Sequence, residues 1–257
     1  MPESKPSGLD LLGVKPVAEA INRVVSGSVD GAAAFLSRIC LPAAEEFGLL
    51  LKDRVHVWRA SNLAVIVARA ERKVDEENDA LDVQAHPRLV GAILENGSWV
   101  QDSVVQDMWG GLLSSSCTES GDDDSNLIFV NLLSDLTKLQ ARLLKSACEK
   151  AVKVVSVDGL VQAERIWFPL DVLIGLTGET DIQRFDRELD HLRALELIQG
   201  GFDFNDSTRA EVTPTGLALH MYVRCEGSKR SPLDYFGLQV PTHPIDAPTQ
   251  PENSPPE

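Results

Sequence analysis

Between Ser134 and Glu226 the apolar residues change spacing in a fixed order: helical, a short continuous run, helical again, alternating, and helical once more. Leu132, Leu136, Leu139, Leu143, Leu144 and Ala147 recur three, four and one apart, the stripe of a long amphipathic helix. The run Ile166, Trp167, Phe168, Leu170, Val172, Leu173 and Ile174 follows, straddling Pro169 and read as a short second helix and its approach. Phe185, Leu189, Leu192, Leu195 and Leu197 mark a third helix, capped by Thr180-Asp181 and ended by Gly200-Gly201. Phe202, Phe204 and Val212 alternate around Asn205-Asp206 as in a hairpin, and Thr215-Gly216 opens a last helix. This is the order of a winged helix. The chain is therefore expected to be mainly α, a helical N-terminal region followed by a winged-helix-like domain with a small β-hairpin wing.

A winged helix usually reads DNA through its third helix. Here the charges oppose that use. Thr180 to Glu196 holds Arg184, Arg187 and Arg193 against Asp181, Asp186, Glu188, Asp190 and Glu196. Laid in a groove, such a helix would bring net negative charge toward phosphates, whose neutralisation by Lys and Arg supplies most non-specific affinity. The net charge of the chain is −15, and it is unevenly spread. Lys73 to Asn126 holds two basic residues against twelve acidic ones, which repels nucleic acid and anionic membrane and favours basic protein partners.

The four cysteines, Cys40, Cys117, Cys148 and Cys225, lack the close spacing of a zinc knuckle or a redox CxxC pair, so a reducing, cytoplasmic setting is expected. The five histidines form no HExxH, and the acidic loop 119–126 lacks the ligand spacing of a calcium loop. No cofactor, metal or catalytic constellation follows from the residues. A non-enzymatic protein is the expectation.

Along the chain, residues 1–13 read as a flexible N-terminus and 14–126 as a helical region with an acidic loop. Residues 127–226 read as the winged-helix-like domain, and 227–257, rich in proline, as a disordered tail. Within the first region, helices are expected over Val14 to Val25, from Asp30 to Cys40, and along Ala43 to Val74 as one long helix or two. Further helices are expected from His86-Pro87 to Asn96-Gly97 and from Ser98 to Leu113. Trp109 in the last of these reads as a core anchor. The adjoining Gly110-Gly111 costs helix propensity, which close approach of another backbone would compensate.

The residues His86-Pro87-Arg88-Leu89-Val90, the stretch from Val104-Val105-Gln106-Asp107 through Met108-Trp109-Gly110-Gly111 to Leu112-Leu113, and the Leu-rich helix from Leu132 together resemble the abortive infection alpha family of bacterial phage-defence proteins. Pro42-Ala43-Ala44-Glu45-Glu46-Phe47-Gly48 resembles the proline-centred turn of that family's N-terminal regions, so the resemblance runs from about Pro42 to Arg224. It implies antiviral defence in a bacterium and carries no catalytic residues.

The candidate interaction surface comprises Arg184, Arg187 and His191 on the third helix, with Arg54 and Arg59 in Asp53-Arg54-Val55-His56-Val57-Trp58-Arg59. The latter interleaves basic and aromatic residues, as a strand-binding surface does, or as a helix seam does. Reversing charge at Arg184 and Arg187 is expected to disturb partner capture and leave the fold intact. The expected partner is a protein, phage-derived or another copy, rather than nucleic acid. Two alternatives stay open: a DNA-binding transcription regulator, and a membrane-active effector using Ala32 to Leu51, where Arg38, Glu45 and Glu46 interrupt the apolar run.

Overall fold

The computed structural model describes residues 30–43, 45, 54–76, 83–203 and 206–240. The helix expected over Val14 to Val25 lies outside them, as does the turn of Phe47-Gly48. The described chain is mostly helical, with small antiparallel sheets.

Helix α1 (30–39) buries Ala32, Phe35, Leu36 and Ile39, the i, i+3, i+4, i+7 face that its sequence prescribes. Helix α2 (Arg54–Glu76) presents Leu63, Ile66, Val67 and Ala70 to the interior. Helix α3 (Pro87–Gly97) opens as expected: His86 stands before it, its ring nitrogen accepting from the Arg88 N–H, and Pro87 occupies the first position. Helix α4 (Ser103–Ser115) is buried at ten of its thirteen residues, from Val105 and Gln106 to Ser114 and Ser115. Such all-round burial marks a central helix. It packs chiefly against α2, and on another side against the backbone at Cys225 and Gly227.

The start of α4 differs from the expected Ser98. Ser98 closes α3 instead, its N–H donating to the Leu94 carbonyl, its hydroxyl accepting from Arg59 and its carbonyl from Asn62. Asp102 takes the cap, accepting from the N–H groups of Val104 and Val105. The polar stretch after α4 contains a two-residue strand, β2 (Cys117–Thr118), paired with β1 (Gln84–Ala85).

The single long helix expected from Leu132 is two. Helix α5 (Leu127–Asp135) ends before Leu136, and Thr137 starts α6 (Lys138–Lys150) with a capping box: its hydroxyl accepts from the Gln140 N–H while the Gln140 side chain accepts from the Thr137 N–H. The apolar stripe continues across the break, which is why periodicity alone hid it.

After α6 comes an unanticipated hairpin, β3 (Lys153–Val155) and β4 (Val161–Ala163), turned at Asp158-Gly159 with Gly159 at φ 82°. Strand β5 (Trp167–Pro169) leads into α7 (Leu170–Thr177), which Gly178 ends at φ 74°. Of the apolar run here only Phe168 and Leu173 are fully buried. Helix α8 (Ile182–Ala194) buries Phe185, Leu189 and Leu192. It stops at Leu195, ahead of the glycines expected to end it, because Glu196 adopts φ 58° and the Leu197 N–H donates back to the Leu192 carbonyl. Strands β6 (Phe202–Asp203) and β7 (Asp206–Glu211) complete a three-stranded antiparallel sheet in the order β5-β7-β6. Helix α9 (Gly216–Cys225) is capped by the Thr215 hydroxyl as expected.

Residues 227–240, assigned by sequence to a disordered tail, fold back. The short helix α10 (Pro232–Tyr235) brings Leu233, Phe236 and Leu238 against the core, and Phe236 stacks on Tyr222 with 9° between the rings. Among the described residues nearly all of the buried apolar side chains form one contiguous cluster from Ala32 to Cys225.

Candidate interaction surface

Asp181 accepts from the Gln183 N–H and sets the phase of α8: with Phe185, Leu189 and Leu192 inward, Arg184, Arg187 and His191 fall outside. None of the arginines is left unpaired. Arg184 lies 2.7 Å from Glu179 and 3.6 Å from Glu188, Arg187 is 3.6 Å from Glu188, and Arg193 is 2.6 Å from Asp190. Hydrogen bonds from the Asp181 and Thr180 N–H groups, reinforced by Arg184, hold the Glu179 carboxyl below its usual range.

Glu188 is the centre of this group. It is only 4% exposed, and its carboxylate accepts from the Thr137 hydroxyl at 2.9 Å. The capping box fixes the Gln140 amide so that its nitrogen donates to the Glu188 carbonyl at 3.0 Å and faces His191 Nδ1 at 3.0 Å. The imidazole nitrogen facing it therefore accepts. Arg184 and Arg187 thus stand exposed on α8 while each pairs with a buried carboxylate, so reversing their charges would leave Glu188 facing like charge.

The second candidate group departs further from expectation. Arg54 is the first residue of α2, and its side chain lies outside what the structure describes. Arg59 is 9% exposed. Its Nε donates to the Ser98 hydroxyl at 2.9 Å, Nη2 pairs with Glu95 at 2.7 Å, and the guanidinium lies 4.4 Å from the centroid of the Trp99 ring. The Arg59 hydrogen bond leads the causes that hold Glu95 below its usual range. Arg59 is therefore an internal strut between α2 and α3. Placed one residue after Trp58 on a helix, it turns toward the Ala60 and Leu63 face and away from solvent.

Sequence reasoning missed a network at the end of α9. Lys73 of α2 donates to the Glu226 carbonyl at 3.2 Å and lies 3.6 Å from Asp107 of α4, while Lys145 of α6 pairs with the Glu226 carboxylate and with Glu149 at 3.4 Å. Burial alone would lower the Lys145 pKa; the hydrogen bond and charge of Glu226 outweigh it and raise it. Two cations thus gather at a helix C-terminus, Lys73 satisfying a carbonyl that the helix leaves open and Lys145 holding the Glu226 carboxylate. The residues that could have signalled this, Lys73 and Glu226, are 153 positions apart.

The acidic loop is organised by its own backbone. Asp123 accepts from the Ser125 N–H, which holds its carboxyl low, and Asp124 pairs with Arg88 at 3.3 Å. No group of three or more potential metal ligands occurs among the described residues. All four thiols are buried, with Cys148 pushed up to about 12 and Cys225 also raised by burial. Among the described residues no helix is long and apolar enough to cross a membrane.

No curated protein and no solved structure matches the chain. Residues 59–214 match the family described as abortive infection alpha, a span that begins at the Arg59 strut, takes in the buried helix α4 and the whole of α8, and ends just before the cap of α9. Because that match covers more than half of the chain, the protein belongs to the abortive infection alpha family.

Proposed function

We propose that the protein is a non-enzymatic abortive-infection factor that recognises another protein through the outer face of α8, carried on a winged-helix-like domain formed by residues 127–226. Supporting the winged helix are the succession β5, α7, α8, β6, β7 after α6, with the β3-β4 hairpin inserted between α6 and β5, and the position of β7 between β5 and β6. The observation that carries the reading is that all three arginines of α8 are already paired with carboxylates of that helix or of Glu179 just before it. Phosphate binding there would strip Glu188 of its counter-charges inside the fold, so a protein partner suits this face better than a duplex. Burial in the core pushes Cys148 and Cys225 up, and partial burial against the core does the same to Tyr222, which fits packing roles rather than acid–base work. The partner is phage-derived or a second copy, met in a reducing cytoplasm. The part of the chain before residue 127 and the unit of residues 127–226 act together through the Glu226 network, in which Lys73 and Lys145 meet.

Two measurements test this. Anisotropy with a random-sequence duplex at low salt is expected to show no binding with a steep salt slope; such a slope would transfer the assignment to a DNA-binding regulator. Asp186, exposed on α8, is the position for a functional variant. Asp186→Lys is expected to lower survival of a phage-challenged culture while the protein melts as wild type. Undiminished protection would remove α8 as the recognition face.

A further inference from the structure

A hollow of about 490 Å³ lies between the end of α3 and the start of α6. Val100, Val105 and Leu136 give it an apolar lining, and Trp99, Gln101 and Lys138 supply its aromatic and polar groups. Its volume falls in the range of small-molecule sites, roughly 300 to 1,000 Å³, and its lining is mixed, apolar and polar in about equal measure.

These side chains differ from their neighbours in having unused capacity. Trp99 is 54% exposed although its orientation is fixed: Arg59 stacks on the ring, and the indole N–H donates to Glu95 at 3.4 Å. Asp102, also at the hollow, is fully engaged by the α4 cap and by Arg142 at 2.7 Å. The side chains of Gln101 and Lys138, by contrast, are exposed and have no hydrogen-bond or ion-pair partner among the described residues. Lys138 is moreover the first residue of α6, where a cation opposes the helix dipole. Folding alone gives no reason for it there.

A fixed aromatic face, a two-way amide and one ammonium unpaired among the described residues, around a single hollow, fit a planar ring with hydrogen-bonding edges and one anionic group. We propose that this hollow binds a free mononucleotide, its base against Trp99, its base edge at Gln101 and its phosphate at Lys138. Stacking of a base on an aromatic side chain contributes about 1 to 3 kcal/mol, and lysine is a regular phosphate partner. An amide can meet both donors and acceptors on a base. A polynucleotide fits less well, because a single cation serves a single phosphate and the surrounding stretch from Lys73 to Asn126 is strongly acidic. The assignment is independent of what α8 recognises.

Titration calorimetry of the full chain with AMP tests it. Saturable binding with a dissociation constant between about 10 µM and 1 mM is expected, with adenosine and inorganic phosphate each at least about tenfold weaker. Trp99→Ala and Lys138→Gln should each weaken AMP by about tenfold or more, Lys138→Gln while melting as wild type, and Trp99→Phe, which keeps a ring beneath Arg59, should keep most of the affinity. Absence of heat with AMP, GMP and UMP up to about 5 mM overturns the proposal, as does binding that survives both variants. Tighter binding of a short oligothymidylate than of any mononucleotide would replace the free nucleotide with a strand.

Discussion

Substituting Gly111 by alanine isolates the contact on which the fold turns. In an open helix the change adds about 1 kcal/mol of stability through helix propensity. Gly91 of α3 is such a position, with nothing within 4 Å of where a Cβ would stand. At Gly111 that Cβ would fall on the Cys225 backbone carbonyl, with the Gly227 nitrogen 3.0 Å away. Neither obstacle can rotate aside, since both belong to the backbone at the end of α9, which Lys73 and Lys145 hold through Glu226. Overpacking a tight interior costs about 1 to 3 kcal/mol, and a backbone obstacle places this case at the upper end. After the propensity gain is subtracted, Gly111→Ala should lose about 2 kcal/mol or more. For a chain of this size that lowers the melting temperature by about 4 to 8 °C. Gly91→Ala should raise it slightly. Thermal melts followed by circular dichroism read both signs side by side, and a Gly111→Ala protein that melts at or above wild type would refute the packing argument.

Asp102→Asn keeps a cap on α4 but removes the charge facing Arg142. Burial raises the Asp102 pKa, yet the Arg142 and backbone N–H hydrogen bonds outweigh it and leave it lowered. Its contribution is therefore present above the ordinary aspartate value and lost as pH falls through the depressed one. Urea melts should show a wild-type advantage at neutral pH that shrinks below about pH 4, and a gap of constant size would contradict the assignment. Glu196, at φ 58°, occupies a position that favours glycine. Glu196→Gly should stabilise by about 0.5 to 1 kcal/mol and Glu196→Val should destabilise, opposite signs that denaturant melts resolve. Reversing both Arg184 and Arg187 to glutamate should cost roughly 1 to 3 kcal/mol, less than a fully buried pair because both arginines are exposed. Adding Glu188→Gln should recover most of that loss; no recovery would mean that Glu188 does not need them.

The helices were legible wherever a cap and a period agreed. Pro87 after His86, Asp181 before Phe185 and Thr215 before Ala218 each joined a local hydrogen bond to an apolar face, and each helix formed there. The burial of Trp109 followed from Val105 and Leu112 beside it, and the Gly110-Gly111 pair proved to mark a close backbone approach. Two failures were avoidable. Thr137-Lys138-Leu139-Gln140 is a capping-box sequence inside an unbroken stripe, and Asp158-Gly159 between valine-rich segments is a hairpin signal. Other misses were beyond a one-dimensional reading. Arg184 and Glu188 are four apart and could be paired by inspection, but Glu188 is buried because Thr137 and Gln140, from the start of α6, close over it. Likewise nothing local says that Arg59 is internal and Trp99 exposed. That depends on how α2 crosses α3.

The placement of α6 explains how the parts of the molecule constrain one another. Its first turn holds α8 through Thr137 and Gln140, and Lys145, two turns further on, holds the end of α9 through Glu226. Glu226 is in turn tied to α2 by Lys73, and the adjoining Cys225 carbonyl stands against Gly111 of α4. A division of the chain near residue 126 thus separates segments that share a core and a charge network. Hinges are few at such a joint, because a hinge needs backbone free to change φ and ψ without breaking packing. Motion of α8 relative to α4 would have to break the Lys145 ion pair or lift backbone off backbone at Gly111. A partner bound on α8 therefore loads the same body that carries Trp99 and α2, and signalling by free swinging of two domains is the least economical reading of this fold.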